Sequence, residues 1–191
     1  MKTLEDQMAF YAAYHQDGRN KASHFIGVPM IMLSLFIPLA WLQVQVDGVT
    51  ISAAMVFASV VMIYYFVLDV PLALAMLVVS AVLVWIGHQI AALGAAQGWA
   101  WFGLLFVGGW IIQLVGHVFE GRKPALADNL FQIFVAPIFL AAEIFFALGY
   151  KPRLHEAVQR RAQLSRAQSA ESSISLTRTS SESGASGSRS T

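Results

Sequence analysis

Between residues 25 and 118 the chain contains no lysine or arginine, and Asp47 and Asp69 are the only carboxylates there. Water-soluble domains carry about 25% charged residues, so this pattern is foreign to them. Over all 191 residues the hydrophobic fraction is 57% and the mean hydropathy is +0.62. Because a soluble core could not bury so much apolar surface, the sequence predicts an integral membrane protein with the lipid bilayer as its partner.

The charged and sulfur-containing residues exclude several functional classes. The formal net charge is +1, with mixed signs near the N-terminus and a basic excess after Lys151. No basic face remains outside the tail, so nucleic acid is not an expected partner. The chain has no cysteine, which rules out disulfides and thiolate metal sites. Any metal must therefore be bound by histidine, carboxylate or amide groups.

The apolar segments predict an all-α integral membrane helical bundle. Four segments, joined by very short turns, each approach the ~20 residues that a helix needs to cross a bilayer: 25–46, 49–68, 72–93 and 99–118. A fifth apolar helix at 131–150 is expected to be re-entrant or spanning. The oligomeric state is left open.

An N-terminal interfacial helix is expected before the first crossing. Thr3 can cap it together with Asp6, and apolar residues recur on one helical face, as in helices that lie along a membrane surface. Asn20 is predicted to cap the next helix, with His24 in its second turn.

Lysine and arginine counts predict the orientation. Lys2, Arg19 and Lys21 place the N-terminus in the cytoplasm, and four crossings return Arg122 and Lys123 to that side. The membrane would be a bacterial inner membrane or the endoplasmic reticulum. A fifth crossing would put the basic tail outside, so we expect that helix to be re-entrant, with a full span as the alternative.

The predicted divisions of the chain follow from these segments. Residues 1–24 form the amphipathic helix and a histidine-bearing entry loop, and 25–150 form the membrane domain. Residues 151–164 form a basic juxtamembrane helix. Residues 165–191 are serine-rich with almost no large apolar side chain, so they are expected to be disordered.

This topology sorts the histidines. His15, His24 and His117 reach the cytoplasmic interface from distant segments, which makes them candidate metal ligands. His88 lies near the opposite face, where it could complete a metal site but is more simply explained as a hydrogen-bond partner of a neighbouring helix. His155 belongs to the charged tail.

The end of the fourth segment places three polar groups on one helical face, since Gln113, His117 and Glu120 are spaced i, i+4 and i+7. Imidazole with carboxylate suits iron(II), zinc or manganese, and the sequence leaves the choice open. Glu120 could serve the site or pair with Arg122 or Lys123. Arg122 could bind a substrate carboxylate or merely set the topology.

Glu143 interrupts the fifth apolar helix. A carboxylate in such a position is costly unless it is paired, protonated or near water, so a partner is expected.

Two stretches together resemble the membrane family of 2-hydroxy fatty acid dioxygenases. The first reads Y-x3-H-x4-N-K-x2-H-x2-G-x-P over residues 11–29, and the second contains Gln113, Gly116, His117, Phe119, Glu120, Gly121, Arg122, Pro124, Ala125 and Leu126, followed by Asp128, Asn129, Pro137 and Glu143. The resemblance covers residues 5–150. Both stretches occur in order and are separated by apolar segments.

The resemblance implies a membrane-bound iron(II)-dependent dioxygenase with Fe²⁺ as cofactor. Such an enzyme converts a 2-hydroxy fatty acid to a fatty acid one carbon shorter and releases CO₂, with molecular oxygen as co-substrate. The motif histidines correspond to His15, His24 and His117, with Glu120 or His88 completing or orienting the set.

Two other functions remain open. The chain could be a non-enzymatic small transporter or assembly factor that uses its histidines for metal or proton handling. A transporter, however, would need polar groups through the membrane depth, and the apolar segments are nearly devoid of them. A histidine-rich desaturase or hydroxylase would carry closely spaced histidine clusters, whereas no histidine pair here is closer than nine residues.

Overall fold

The computed structural model describes residues 3–121 and 132–168, which form helices joined by short connections. The helices are α1 (Leu4–Ala13), α2 (Gly18–Trp41), α3 (Ala53–Leu68), α4 (Val70–Ala92), α5 (Ala95–Glu120), α6 (Gln132–Ala147) and a helix α7 over residues 152–168. A two-stranded hairpin, β1 (Gln43–Val46) and β2 (Val49–Ser52), lies between α2 and α3.

Three of the described helices, α2, α4 and α5, are long and apolar enough to cross a membrane. Large apolar side chains on their surfaces, such as Val78 and Val107, are more than half exposed, as in helices that contact lipid. The helices α3 and α6 are apolar but have only 16 residues each. The apolar helices are those of a membrane protein, and four crossings remain a prediction.

The helices α2 to α5 alternate in direction. At one end, the indole of Trp41 donates to the carbonyl oxygen of Ala91 at 3.1 Å, which joins the last turns of α2 and α4. The hairpin lies at this end, which we call the hairpin end. The start of α2 and the last turn of α5 meet at the opposite end, which we call the site end.

The hairpin corrects the predicted boundaries of the first two apolar segments. We predicted helix up to residue 46 and again from 49, but α2 ends at Trp41 and α3 begins at Ala53. Asp47 and Gly48 have φ values of 48° and 80°, the backbone that a tight hairpin turn requires. An Asp-Gly pair flanked by alternating valines is a strong hairpin signal, and it outweighs apolar content here.

The helix starts are set by side-chain caps. The predicted capping box of Thr3 and Asp6 is confirmed at α1. The prediction that Asn20 caps the next helix is wrong, because Asp17 accepts from the backbone N–H of Arg19 and starts α2 one turn earlier. Asn20 is therefore fully buried inside the first turn of α2.

Glycines allow α2 and α5 to pack with their backbones close together. A Cβ atom added at Gly109 would lie 3.0 Å from the carbonyl oxygen of Gly27, and one at Gly116 would lie 1.9 Å from the hydroxyl of Ser23. Larger residues at these positions would force the helices apart. This close contact carries His117 of α5 towards the first turns of α2.

Both ends of α6 contact the same part of α3. The hydroxyl of Tyr65 donates to the carbonyl oxygen of Phe134 at 2.7 Å, and Lys151, beyond the end of α6, pairs with Asp69, which caps α3. Both ends of α6 are thus held near the C-terminal end of α3, and whether this helix is re-entrant or spanning stays a prediction.

The helix α7 packs against the N-terminal helix. Val158 and Ala162 are buried in the same cluster as α1, and Arg161 pairs with Glu5 and Asp6. This helix overlaps the predicted basic helix at 151–164. Most of the serine-rich tail, residues 169–191, lies outside the described residues.

Candidate metal centre and its cavity

Three elements bring three histidines together at the site end. His15 follows α1, His24 lies in the second turn of α2, and His117 lies in the last turn of α5. The three residues are 2%, 2% and 6% exposed. One ligand atom from each lies within 4.8 Å of the others, close enough to hold one metal ion.

Backbone carbonyl groups fix the tautomers of two of these rings. Nδ1 of His15 donates to the carbonyl oxygen of Tyr11 at 2.8 Å, and Nδ1 of His24 donates to that of Asn20 at 2.9 Å. In the neutral rings the proton therefore sits on Nδ1, and both Nε2 atoms carry lone pairs. These two Nε2 atoms face each other at 3.1 Å. Two lone pairs at this distance repel unless a cation lies beside them.

A proton is a poor candidate for that cation. Burial, followed by the nearby His24, holds the pKa of His15 well below its usual range, so this ring stays neutral near pH 7. Neutral imidazole is also the form that binds metal ions. Two nitrogens bound to one ion at ~2.1 Å lie roughly 3.0 to 3.4 Å apart, which matches the observed separation.

His117 supplies a further sign of a missing partner. Its Nδ1 atom is buried and has no hydrogen-bond partner in the part of the chain that the structure describes, although such atoms are normally paired. Its ring centroid lies 5.0 Å from that of His15 and 5.1 Å from that of His24. The donor set therefore fits a divalent ion such as iron(II), zinc or manganese.

Glu120 positions the segment that carries His15. One carboxylate oxygen accepts from the backbone N–H groups of Gln16 and Asp17 at 2.9 and 2.7 Å and from the amide of Asn20 at 3.2 Å. The other oxygen accepts from Arg166 of α7 at 2.9 Å. Both oxygens are thus engaged by protein donors, which connects the end of α5 to the segment after His15 and to α7.

Asn20 is a positioning residue that the sequence analysis missed. The side-chain NH₂ group of Asn20 donates hydrogen bonds to the carboxylate of Glu120 and to the backbone carbonyl oxygen of Tyr14. The backbone carbonyl oxygen of Asn20 accepts from Nδ1 of His24. Its spacing of four residues before His24 was the available signal, but capping was the simpler interpretation.

A cavity of about 160 Å³ opens from the three histidines into the bundle. Besides the histidines, its polar lining includes Tyr11, Gln113 and Gln132, while apolar residues such as Ile31 and Phe57 form most of the remaining wall. Such a cavity suits a molecule with a polar head and an apolar tail.

The remaining candidate residues lie elsewhere. Nδ1 of His88 donates to the carbonyl oxygen of Val84, and its Nε2 accepts from the hydroxyl of Ser52 at 3.0 Å, so the structure places it at the hairpin end, away from the cluster. This is the expected hydrogen-bonding alternative, and Ser52 is also the N-cap residue of α3. Arg122, with Lys123, Asp128 and Asn129, lies outside the described residues.

Glu143 has the partner that its position required. Lys21 of α2 donates to its carboxylate at 2.8 Å, and both side chains are largely buried. This ion pair ties α6 to the same turns of α2 that carry His24.

The fold and the site define a helical membrane protein with a buried three-histidine centre that opens into an apolar cavity. The family model described as 2-hydroxy-palmitic acid dioxygenase Mpo1-like matches residues 1–148, and the chain belongs to this family. It is 36% identical over 160 residues to the 2-hydroxy-palmitic acid dioxygenase MPO1 of Saccharomyces cerevisiae, covering 82% of this chain and 87% of that protein. No solved structure matches the chain significantly.

Proposed function

We propose that the protein is an iron(II)-dependent dioxygenase that converts a 2-hydroxy fatty acid to a fatty acid one carbon shorter. The observation that carries the proposal is the buried trio of His15, His24 and His117 at the mouth of an apolar cavity. Membership of a family described as a dioxygenase of 2-hydroxy-palmitic acid supports the same chemistry.

The reaction is balanced without a further reductant. A 2-hydroxy acid and one O₂ give the shortened acid, CO₂ and one water, because oxidation of the hydroxyl carbon and loss of the carboxyl carbon together release four electrons. Bound iron would supply the electron transfer that lets O₂ react with the organic substrate.

The residues of the chain hold the reactants in place. The three imidazoles would hold the ion, and Glu120 keeps the segment containing His15 against α5. The apolar cavity would take the acyl chain and exclude water from it. Arg122 is proposed as a partner for the substrate carboxylate.

We also propose that the site end faces the cytoplasm. The cations at the start of α2 support this orientation, because lysine and arginine favour the cytoplasmic side. Since the chain has no cysteine, Thr50→Cys in the hairpin gives a single labelling site. A membrane-impermeant maleimide should reach it from the non-cytoplasmic side, and labelling only from the cytoplasm would reverse the orientation.

Product analysis tests the reaction itself. Purified protein loaded with iron(II) should convert 2-hydroxypalmitate under air to pentadecanoate and CO₂, with one O₂ consumed per acid. His24→Ala should abolish the product and His88→Ala should not. Intact iron binding without any shortened acid would instead favour the transporter or assembly-factor alternative.

A further inference from the structure

Besides His117, two side chains in the cavity have buried polar atoms without a hydrogen-bond partner among the described residues. They are the hydroxyl of Tyr11 and the side-chain carbonyl oxygen of Gln132. Both residues line the cavity together with the three histidines, and they are 3% and 1% exposed. Because buried polar atoms are rarely left unpaired, a cavity wall with two such atoms indicates a ligand that pairs with them.

The hydroxyl of Tyr11 is held beside the metal centre. Its ring stacks on that of His15, with centroids 3.9 Å apart and an angle of 6° between the planes. The ring also packs on Phe139, with centroids 4.4 Å apart. The hydroxyl is therefore a fixed hydrogen-bond donor next to the histidines.

Gln132 offers the complementary group. Its side-chain NH₂ donates to the side-chain oxygen of Gln7 at 3.3 Å, and Gln7 is itself buried. In this arrangement the side-chain oxygen of Gln132 remains available as an acceptor. An acceptor on the ligand would be repelled at this point, so the ligand must present a donor.

We propose that Tyr11 and Gln132 form the subsite that recognises the head of a 2-hydroxy acid, with the Tyr11 hydroxyl donating to the carboxylate and the Gln132 oxygen accepting from the 2-hydroxyl. This inference rests on the proposed function for the identity of the substrate. Gln132 thereby selects 2-hydroxy acids over ordinary fatty acids, because an acid without the hydroxyl leaves the buried oxygen unpaired.

Metal chelation by a 2-hydroxy acid would also favour the hydroxylated ligand, so the test compares variants under identical metal conditions. The purified full chain, with iron(II) added and kept under nitrogen to prevent turnover, is titrated calorimetrically with 2-hydroxypalmitate and with palmitate. The measured quantity is the ratio of the two dissociation constants. Chelation contributes to this ratio in every variant that keeps the histidines.

In the wild type, palmitate leaves the buried Gln132 oxygen unpaired, which usually weakens binding roughly 10- to 100-fold. Gln132→Leu removes this oxygen and should lower the preference for the hydroxy acid by the same factor. Its affinity for palmitate should be unchanged or higher, and this also shows that the variant is folded. Tyr11→Phe should weaken the binding of both acids to the same extent and leave the ratio of their dissociation constants unchanged. The control is Gln159→Leu, which removes a half-buried amide of α7 that does not line the cavity and should keep the wild-type ratio.

A ligand-side measurement needs no variant. The fluorine of 2-fluoropalmitate is similar in size to the hydroxyl but cannot donate. Measured without added metal, so that chelation contributes nothing, wild-type protein should bind this acid at least tenfold more weakly than 2-hydroxypalmitate. Equal binding of these two acids under that condition, or a Gln132→Leu variant with the wild-type ratio, overturns the proposal. So does loss of the ratio in Gln159→Leu alone.

Failure of this proposal differs from failure of the proposed function. If iron-loaded wild type converts 2-hydroxypalmitate in air but Gln132→Leu does not change the ratio of dissociation constants, only the role of Gln132 is refuted. If the protein binds 2-hydroxypalmitate selectively but does not convert it, the oxygenase reaction is refuted and the proposed subsite still stands.

Discussion

At the scale of single residues, backbone carbonyl groups determine which ring nitrogen of His15 and of His24 carries the proton. The carbonyl oxygens of Tyr11 and Asn20 hold the Nδ1 protons of His15 and His24. The paired Nε2 atoms are consequently oriented towards each other before any ion arrives, as a rigid metal site requires. Each carbonyl lies four residues before its histidine, so the helical repeat itself sets this geometry.

The carboxylate of Glu120 contacts the chain beside a candidate metal ligand. It accepts hydrogen bonds from the backbone of Gln16 and Asp17, directly after His15. Groups that orient metal ligands in this way commonly change metal affinity 10- to 100-fold when they are removed.

We therefore predict that Glu120→Ala weakens iron(II) binding by about 10- to 100-fold. Glu120→Gln should be milder, because its amide oxygen can still accept from the two backbone N–H groups. The measurement is competition with a coloured iron(II) chelator. Glu156→Ala, which removes an exposed carboxylate of α7, is the control and should bind as wild type, while wild-type affinity in Glu120→Ala would refute the positioning role.

The candidate ligands could be identified from the sequence, but the supporting groups could not. Polar residues are sparse in the apolar segments, and the order of the segments predicted that three of the five histidines meet at one end. The roles of Asn20 and Gln132 depend on which atoms remain unpaired after packing. That information exists only once α1, α2 and α6 are in contact.

At the scale of elements, the contact between α2 and α5 determines whether the site can form. His24 and His117 belong to these two helices, and their separation is set by how closely the backbones approach. Gly116 lies one residue before His117, opposite Ser23 and Asn20. Any side chain at this position separates the two ligands as well as the two helices.

We predict that Gly116→Ala destabilises the protein by about 1 to 3 kcal/mol, the usual cost of overpacking, and that it weakens iron binding. Gly103→Ala on the same helix is the control, because nothing lies within 4 Å of its added Cβ atom. That variant should keep wild-type stability or gain up to ~1 kcal/mol, since alanine favours helix over glycine. Unfolding in detergent measures the stability of both variants. Equal stability of Gly116→Ala and Gly103→Ala would contradict the close contact between α2 and α5 at Gly116.

The sequence predicted the helices better than their ends. Long apolar segments fix α2, α4 and α5, because length and hydropathy suffice for them. The hairpin was missed because its valines add to the apolar count while their alternation with glutamine indicates a strand. The start of α2 was displaced because Asp17 and Asn20 are both good caps, and only the fold shows that Asn20 is needed inside.

At the scale of the whole molecule, the three-histidine cluster and the described groups that hold it lie at one end of an apolar bundle. The described cavity joins the histidines to an interior lined largely by aliphatic and aromatic side chains. A lipid-like substrate could thus place its head at the centre and its tail among the helices. The helices α6 and α7 close the same end through Lys21–Glu143 and Arg166–Glu120.

The helix α7 shows what the local sequence does not reveal at this scale. From the sequence, Glu120 could serve the site or pair with Arg122 or Lys123, its near neighbours; the described ion-pair partner is Arg166. Arg161 joins the same helix to α1. Such long-range ion pairs depend on the arrangement of α7 against α1, which the local sequence does not encode.

The central claim is that three imidazoles from distant parts of the chain share one metal ion, and the amount of iron bound per chain tests it most directly. Elemental analysis of detergent-purified protein reconstituted with iron(II) should give one iron per wild-type chain. His15→Ala, His24→Ala and His117→Ala should each lose most of it, while His88→Ala should retain it. Wild-type iron content in any of the first three variants, or loss of more than half in His88→Ala, would contradict the account.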